Sequence, residues 1–384
     1  MRQAVGAHID SIFSFFKPLS STMSPTEWNP ETSARTTFSA HGSSLVTSLL
    51  LWNDRIVTGS DDTTICVWTN DGTLEKKLEG HESGVWGLAL HHDTLVSASQ
   101  DRTVRIWNLQ TGLCSHIFRG HHSTIRCVTI AESDDTVGGY QAPAKPLILT
   151  GSRDHTLRVW TLPVSGDDEF KATEDDAVNP FHRFTLDGHT ESIRDISVRG
   201  RIAVSGSYDN TARVWDIVTG HCLWKLEGHT GKVYSVAVDL SNEQVFSGSM
   251  DTTIRVWSLK DGSCKAVLDR HESLVGLLAL SPSYLFSAAP DRFVHVWDLK
   301  TSAVVQSFEH NQTITSIQAD DDKVVAGSDG LVQVGNVTTG QTTDLLSMGR
   351  ERLVSKVAYA GNKCVAVTKD SATHVDVWMF GEKA

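Results

Sequence analysis

Four arginines and three aromatic residues stand out as candidates for chemistry: Arg102, Arg126, Arg153 and Arg194, with Trp86, Tyr208 and Tyr234. Crowded guanidinium groups repel one another. A set of them that converges therefore calls for an anion, and a phosphoryl group fits best because the planar guanidinium grips it bidentately. The chain around them is acidic, with 34 Lys and Arg against 46 Asp and Glu and a net charge of −12. That balance excludes general nucleic-acid binding.

Other chemistries are missing from the sequence. There is no Gly-x-Ser-x-Gly, His-Glu-x-x-His, phosphate-binding Gly-x-x-x-x-Gly-Lys or kinase signature, and His81-Glu82 and His271-Glu272 lack a second His four residues on. The expectation is a binding protein without catalytic residues, metal ligands or a cofactor. The cysteines at 66, 114, 127, 222, 264 and 364 never form Cys-x-x-Cys and mostly lie in apolar runs, so they read as reduced, buried thiols. The patch Ile12 to Phe16, flanked by Asp10 and Lys17, does not read as a signal peptide. With no run of 18 apolar residues, the reading is a soluble protein of the nucleus or cytoplasm that binds no membrane.

For the arginines to converge, some regular architecture must present them, and the sequence supplies one. A His, a strand-like run, a Ser/Thr-Gly/Ala-Ser/Ala-x-Asp turn and a Trp six residues after the Asp recur along the chain. The Asp and Trp pairs are Asp62 and Trp68, Asp101 and Trp107, Asp154 and Trp160, Asp209 and Trp215, Asp251 and Trp257, and Asp291 and Trp297. They follow His41, His81, His121, His189, His229 and His271, usually within Gly-His. A seventh copy runs from His310 through Asp329 with Gly335 in place of Trp, and a degenerate eighth ends at Val377-Trp378. The period of about 43 residues fits four-stranded propeller blades. The fold class is thus all-β: a single eight-bladed β-propeller over residues 35–384, after a disordered or irregular segment 1–34. Arg35 to Ala40 would complete the last blade and leave no free edge. Insertions fall near 131–146 and 163–183, and the acidic stretch Val164 to His182 reads as a solvated loop.

Subtracting what every blade needs isolates what differs. The position five after each His, on the innermost strand, holds Val46, Trp86, Arg126, Arg194, Tyr234, Gly276 and Thr315. The residue before each turn Asp holds Asp61, Gln100, Arg153, Tyr208, Met250, Pro290 and Ser328 on the same face, and Arg102 follows the turn Asp of blade 2. The four arginines thus reach one rim of the central channel from three successive blades.

The repeated Gly-His, Ser/Thr, Asp and Trp resemble the WD-repeat family, which implies a buried hydrogen-bond network in each blade: His81, Ser97, Asp101 and Trp107 in blade 2, and His189, Ser205, Asp209 and Trp215 in blade 4. Within that family, Ser123-Thr-Ile-Arg-Cys127, Thr150-Gly-Ser-Arg-Asp154, Ser192-Ile-Arg194, Ser205-Gly-Ser-Tyr-Asp-Asn210 and Val233-Tyr-Ser235 resemble the propeller of F-box receptors for SCF ubiquitin ligases, most nearly the yeast cell-division-control type. The resemblance implies binding of phospho-Thr/Ser-Pro degrons. Arg126, Arg153 and Arg194 would hold the phosphate with Arg102 adjoining, Trp86 would pack on the following proline, and Tyr208, Tyr234, Thr124 and Met250 would line the pocket for preceding residues.

The chain departs from that pattern at Gln100, where a small hydroxyl residue is expected, and in the last blade, Arg352 to Lys356, which lacks a Trp. Residues 20–36 carry no F-box-like Leu-Pro pattern. The expectation is a fragment or F-box-less form that meets the ligase core only if a longer form supplies an F-box, and a monomer, because the family dimerises ahead of the F-box. The alternative is a general WD-repeat scaffold whose arginines pair internally.

Overall fold

The computed structural model describes residues 28–134, 139–164, 166–174, 178–348 and 352–381. The expectations for the segment before Trp28, and for Asp175 and Asp176, lie outside the described residues. Eight antiparallel sheets follow one another around a ring. Blade 1 consists of Val46–Trp52, Arg55–Ser60, Ile65–Trp68 and Leu74–Leu78, and blade 4 of Ile193–Arg199, Ile202–Ser207, Ala212–Asp216 and His221–Leu226. The ring closes in blade 8, where Ala34–Ser39 pairs with Thr373–Met379 in register from Ala34 opposite Met379 to Ser39 opposite His374.

The core lies between blades. Each of eight buried clusters joins two neighbours, as Leu50, Val57, Ile65 and Leu78 of blade 1 meet Val85, Leu88, Leu95 and Trp107 of blade 2. Another joins blade 8 to blade 1 through Val365, Val367, Val377, Val46 and Ile56. Each large apolar side chain so buried contributes about 1.5–3 kcal/mol.

Inside blades 1 to 6 a buried polar network fixes the turn that ends the second strand. In blade 2, His81 Nδ1 donates to Asp101 Oδ2 (2.7 Å), Ser97 Oγ donates to His81 Nε2 (2.7 Å), and Trp107 Nε1 donates to Ser97 Oγ (2.8 Å). Blade 4 repeats this with His189, Asp209, Ser205 and Trp215. Thr58 and Thr150 take the serine's place in blades 1 and 3. The order of donors fixes one neutral tautomer. Burial drives His81, His121, His189 and His229 below the ordinary imidazole value, against the pull of the facing carboxylate. Burial alone would raise the carboxylates, but the His ring, a Thr hydroxyl and backbone amides hold Asp101, Asp154 and Asp209 well below the usual range.

The glycine of Gly-His also has a cause. A Cβ at Gly80, Gly120, Gly188 or Gly228 would lie 2.5, 2.7, 2.7 or 2.8 Å from the guanidinium of Arg105, Arg158, Arg213 or Arg255. Those arginines stand two residues before the blade's Trp. Where Cys66, His295 or Gln333 stands there instead, the residue before His is Ala40, Arg270 or Glu309.

Two expectations need correction. The 163–183 insertion is not simply a solvated loop: Phe170–Lys171 forms a short parallel strand on His116–Ile117 at the outer edge of blade 2, and Phe170 and Phe181 pack on Phe118 and Trp160. The surrounding acidic residues disguise this edge cover. Nor are all thiols buried. Cys66, Cys127 and Cys364 are, but Cys222 and Cys264 are exposed on outer strands and Cys114 is half-buried.

Candidate functional site

In seven blades the innermost strand begins with a β-bulge, which re-aims one side chain, whereas Leu277–Leu280 of blade 6 pairs without one. In blade 2 the register jumps between Val85 and Gly87, in blade 3 between Ile125 and Cys127, in blade 4 between Ile193 and Asp195, and in blade 5 between Val233 and Ser235. The re-aimed residues are Trp86, Arg126, Arg194 and Tyr234. The same bulge releases Thr315 in blade 7 and Ser355 in blade 8.

In blade 1 the bulge lies between Val46 and Ser48, so Thr47 takes the channel position and Val46, expected there, is buried in the core. The reason is a turn one residue longer, in which His41 and Gly42 both adopt left-handed backbone (φ +55° and +59°). Blade 7 differs in the other direction. Ser328 pairs with Leu331 across a two-residue Asp329-Gly330 hairpin. Ser328 therefore belongs to the strand and is buried, and Asp329 takes the rim position expected for Ser328.

The second set is tied to the first through the backbone. Arg153 N donates to Thr124 O (2.9 Å), Tyr208 N to Ser192 O (3.0 Å), Met250 N to Lys232 O (2.8 Å) and Gln100 N to Gly84 O (2.9 Å). Arg153 and Met250 are exposed, Thr124 is half-buried, and Arg102 is exposed in the left-handed conformation (φ +69°).

Side-chain contacts bring four of the expected residues together on blades 3, 4 and 5. Arg126 donates to the Tyr208 hydroxyl (3.1 Å), its guanidinium lying 5.4 Å from the centre of that ring. Arg194, buried, lies 5.9 Å from the centre of the Tyr234 ring. The two tyrosine rings are 5.3 Å apart. Each cation is thus backed by an aromatic face. Burial, then the neighbouring Tyr208, raises the Tyr234 phenol above its ordinary value although Arg194 and Arg126 pull it down. Strand register and the turn hydrogen bonds set Arg102, Arg153, Trp86, Thr124 and Met250 at the same rim.

Two residues of this region were not singled out by sequence. Lys232 holds its Nζ 4.6 Å from the centre of the Tyr208 ring, adding a cation on the blade 5 side. Asp195 follows Arg194 and is buried against blade 5. Its signal was available, since no other blade carries a carboxylate immediately after its channel residue. The far side of the channel bears Thr47, Gly276, Thr315, Ser355 and Asp329. Among the described residues no cluster of three or more His, Cys, Asp or Glu could hold a metal, and no helix is long and apolar enough to cross a membrane.

The WD domain, G-beta repeat family matches residues 32–69, 72–108, 112–161, 181–216 and 220–258, just over half of the chain. Cell division control protein 4 of Candida albicans is 46% identical over 325 residues, covering 82% of this chain and 47% of that protein. Cell division control protein 4 of Saccharomyces cerevisiae is 35% identical over 381 residues, covering 91% and 48%. WD repeat-containing protein pop2 of Schizosaccharomyces pombe is 41% identical over 201 residues, covering 50% and 29%. The chain thus spans half or less of the length of these relatives. Among solved structures, the computationally designed Ika8 protein superimposes with a TM-score of 0.73 at 29% identity, covering 89% of this chain and 98% of that one.

Proposed function

The chain belongs to the WD-repeat family, and from that premise we propose that its channel mouth reads phosphorylated Thr/Ser-Pro segments, as the substrate-recognition propeller of an SCF-type ubiquitin-ligase receptor. The observation that carries the reading is the pairing of Arg126 and Arg194, presented by consecutive bulges, with the rings of Tyr208 and Tyr234. A dianion between such cations gains charge-assisted hydrogen bonds, and the rings beside it offer apolar contact to flanking residues. Similarity to the Cell division control proteins over most of the chain supports it.

In this reading Arg126, Arg153 and Arg194 take the phosphate, Arg102 adjoins it, and Trp86 packs on the following proline. Tyr208, Tyr234, Thr124 and Met250 receive the residues before it. The ligase core is met through an F-box of a longer form, or not at all in an F-box-less one, and the protein acts in the nucleus or cytoplasm.

The test is a fluorescence polarisation titration with a Leu-Leu-phosphoThr-Pro peptide and its unphosphorylated twin. Each charge-assisted hydrogen bond contributes about 1.5–3 kcal/mol, so Arg153→Ala and Arg194→Ala should each weaken phosphopeptide binding roughly tenfold or more. Equal binding of the two peptides by the unmutated protein would instead favour a general scaffold in which the arginines serve the fold.

A further inference from the structure

The residue after the channel position is Ser48, Gly87, Cys127, Ser235, Leu277, Ser316 or Lys356 in seven blades, and in blade 4 it is Asp195. This carboxylate is 3% exposed and joins two blades. Oδ1 accepts from Ile196 N of its own strand (2.9 Å), while Oδ2 accepts from Ser235 Oγ (3.0 Å) and Val236 N (2.9 Å) of blade 5. The Ser235 hydroxyl in turn accepts from Leu278 N of blade 6 (3.2 Å). Elsewhere, neighbouring inner strands are tied by neutral side chains, as Ser48 Oγ donates to Trp86 O, Ser316 Oγ accepts from Val357 N and Gln318 Oε1 accepts from Tyr359 N. A charged acceptor makes this joint roughly twice as strong per bond.

The joint lies beside the pocket. Asp195 follows Arg194, and Ser235, which it grips, follows Tyr234, over whose ring the Arg194 guanidinium lies. The titratable and charged groups facing the carboxylate are Arg194 on its own strand and Cys127 of blade 3, beside the Ser235 hydroxyl of blade 5. Burial, then the charge of Asp195, pushes the Cys127 thiol up, so it stays neutral. The charge on Asp195 is costly to the fold. Burial raises its carboxyl to about 6, against its three donors and Arg194, so stability present below the ordinary value of 3.8 is lost as pH rises through about 6. A group that lowers stability at neutral pH fits a place where function sets the residue.

We propose that Asp195 is a positioning residue of the phosphate pocket: by gripping Ser235 and Val236 it fixes the strand of Tyr234 against the strand of Arg194, and so sets the affinity for a phosphorylated peptide without touching it. This inference rests on the phosphopeptide reading above.

Asp195→Asn keeps the shape but turns one acceptor into a donor. The expected result at about pH 7.5 is a five- to tenfold loss of affinity for the Leu-Leu-phosphoThr-Pro peptide, with a melting temperature within about 2 °C of the parent or above it. Lowered towards about pH 5, where the parent carboxyl takes up its proton, the affinity ratio of parent to variant should shrink towards one. Titration of the peptide's own phosphate cancels in that ratio. In an Arg194→Ala background the substitution should add nothing. Unchanged affinity, a ratio that does not move with pH, or an equal loss in the Arg194→Ala background would each overturn the proposal. Should Asp195→Asn not fold, Ser235→Ala replaces it: a smaller loss that vanishes in the Arg194→Ala background supports the clamp, and one that persists overturns it. Failure of the phosphopeptide reading shows separately, as a parent protein that binds both peptides alike.

Discussion

Blade 4 and blade 7 share one four-stranded order and hold it together differently. In blade 4 His189, Asp209, Ser205 and Trp215 close on one another through hydrogen bonds. In blade 7 His310 meets Ser328 at 3.1 Å, Ala326 stands where the network serine would, and Gly335 stands where the Trp would. The side chain of Phe308 from blade 6 fills that space, since a Cβ on Gly335 would lie 2.8 Å from its ring. A blade therefore needs a filled interface more than it needs the network. The arginine and aromatic cluster falls in blades 2 to 5, all of them among the six blades that close the network. There the turn that presents Arg153 and Tyr208 is locked from behind by buried hydrogen bonds, which preorganises the rim for a ligand.

The contrast can be broken most forcefully at Trp215. Trp215→Ala removes a buried indole and the donor to Ser205, and should lower unfolding free energy by about 3–5 kcal/mol in a urea titration. A loss below about 1 kcal/mol would mean that blade 4 tolerates an empty network as blade 7 does.

Acid is the next lever. Burial pushes His310 down to about 4, against the weaker pull of Asp344. A depressed imidazole contributes stability that is present above its unfolded value of about 6.5 and lost as pH falls through about 4, on the order of 3 kcal/mol in all. His310→Gln should flatten the fall in melting temperature over that window. An unchanged slope would place the acid sensitivity in the complete networks instead.

Smallest, and opposite to what the repeat pattern recommends, Gly335→Ala moves blade 7 towards its neighbours yet should cost about 1–3 kcal/mol through the clash with Phe308. A stabilised variant would show that the Phe308 ring is not the filling.

The strand order, the period and the ring closure are legible in the sequence because each rests on local pattern: alternation, turn residues and a Trp at fixed spacing. The rim of blades 2 to 5 is legible because those blades share one length between His and channel residue. The reading slips by one where that length changes, to Val46 instead of Thr47, and where the next hairpin shortens, to Ser328 instead of Asp329, since a bulge or a shortened hairpin is a matter of register and not of residue type. Phe170 was hidden because its pairing with the outer strand of blade 2 joins segments about fifty residues apart. Cys222 and Cys264 were misplaced because outer strands carry apolar residues that neighbouring blades do not cover.

The ring closure carries a mechanical consequence. Ala34 lies opposite Met379 and Ser39 opposite His374, so the chain enters and leaves the ring at the same end of an antiparallel pair. Tension applied to the two flanking segments pulls that pair open like a zipper, one rung after another, instead of loading all its rungs in shear at once. The seam is therefore the place where such a pull is felt one rung at a time, and once Ala34–Ser39 peels away, blade 8 presents a bare strand edge.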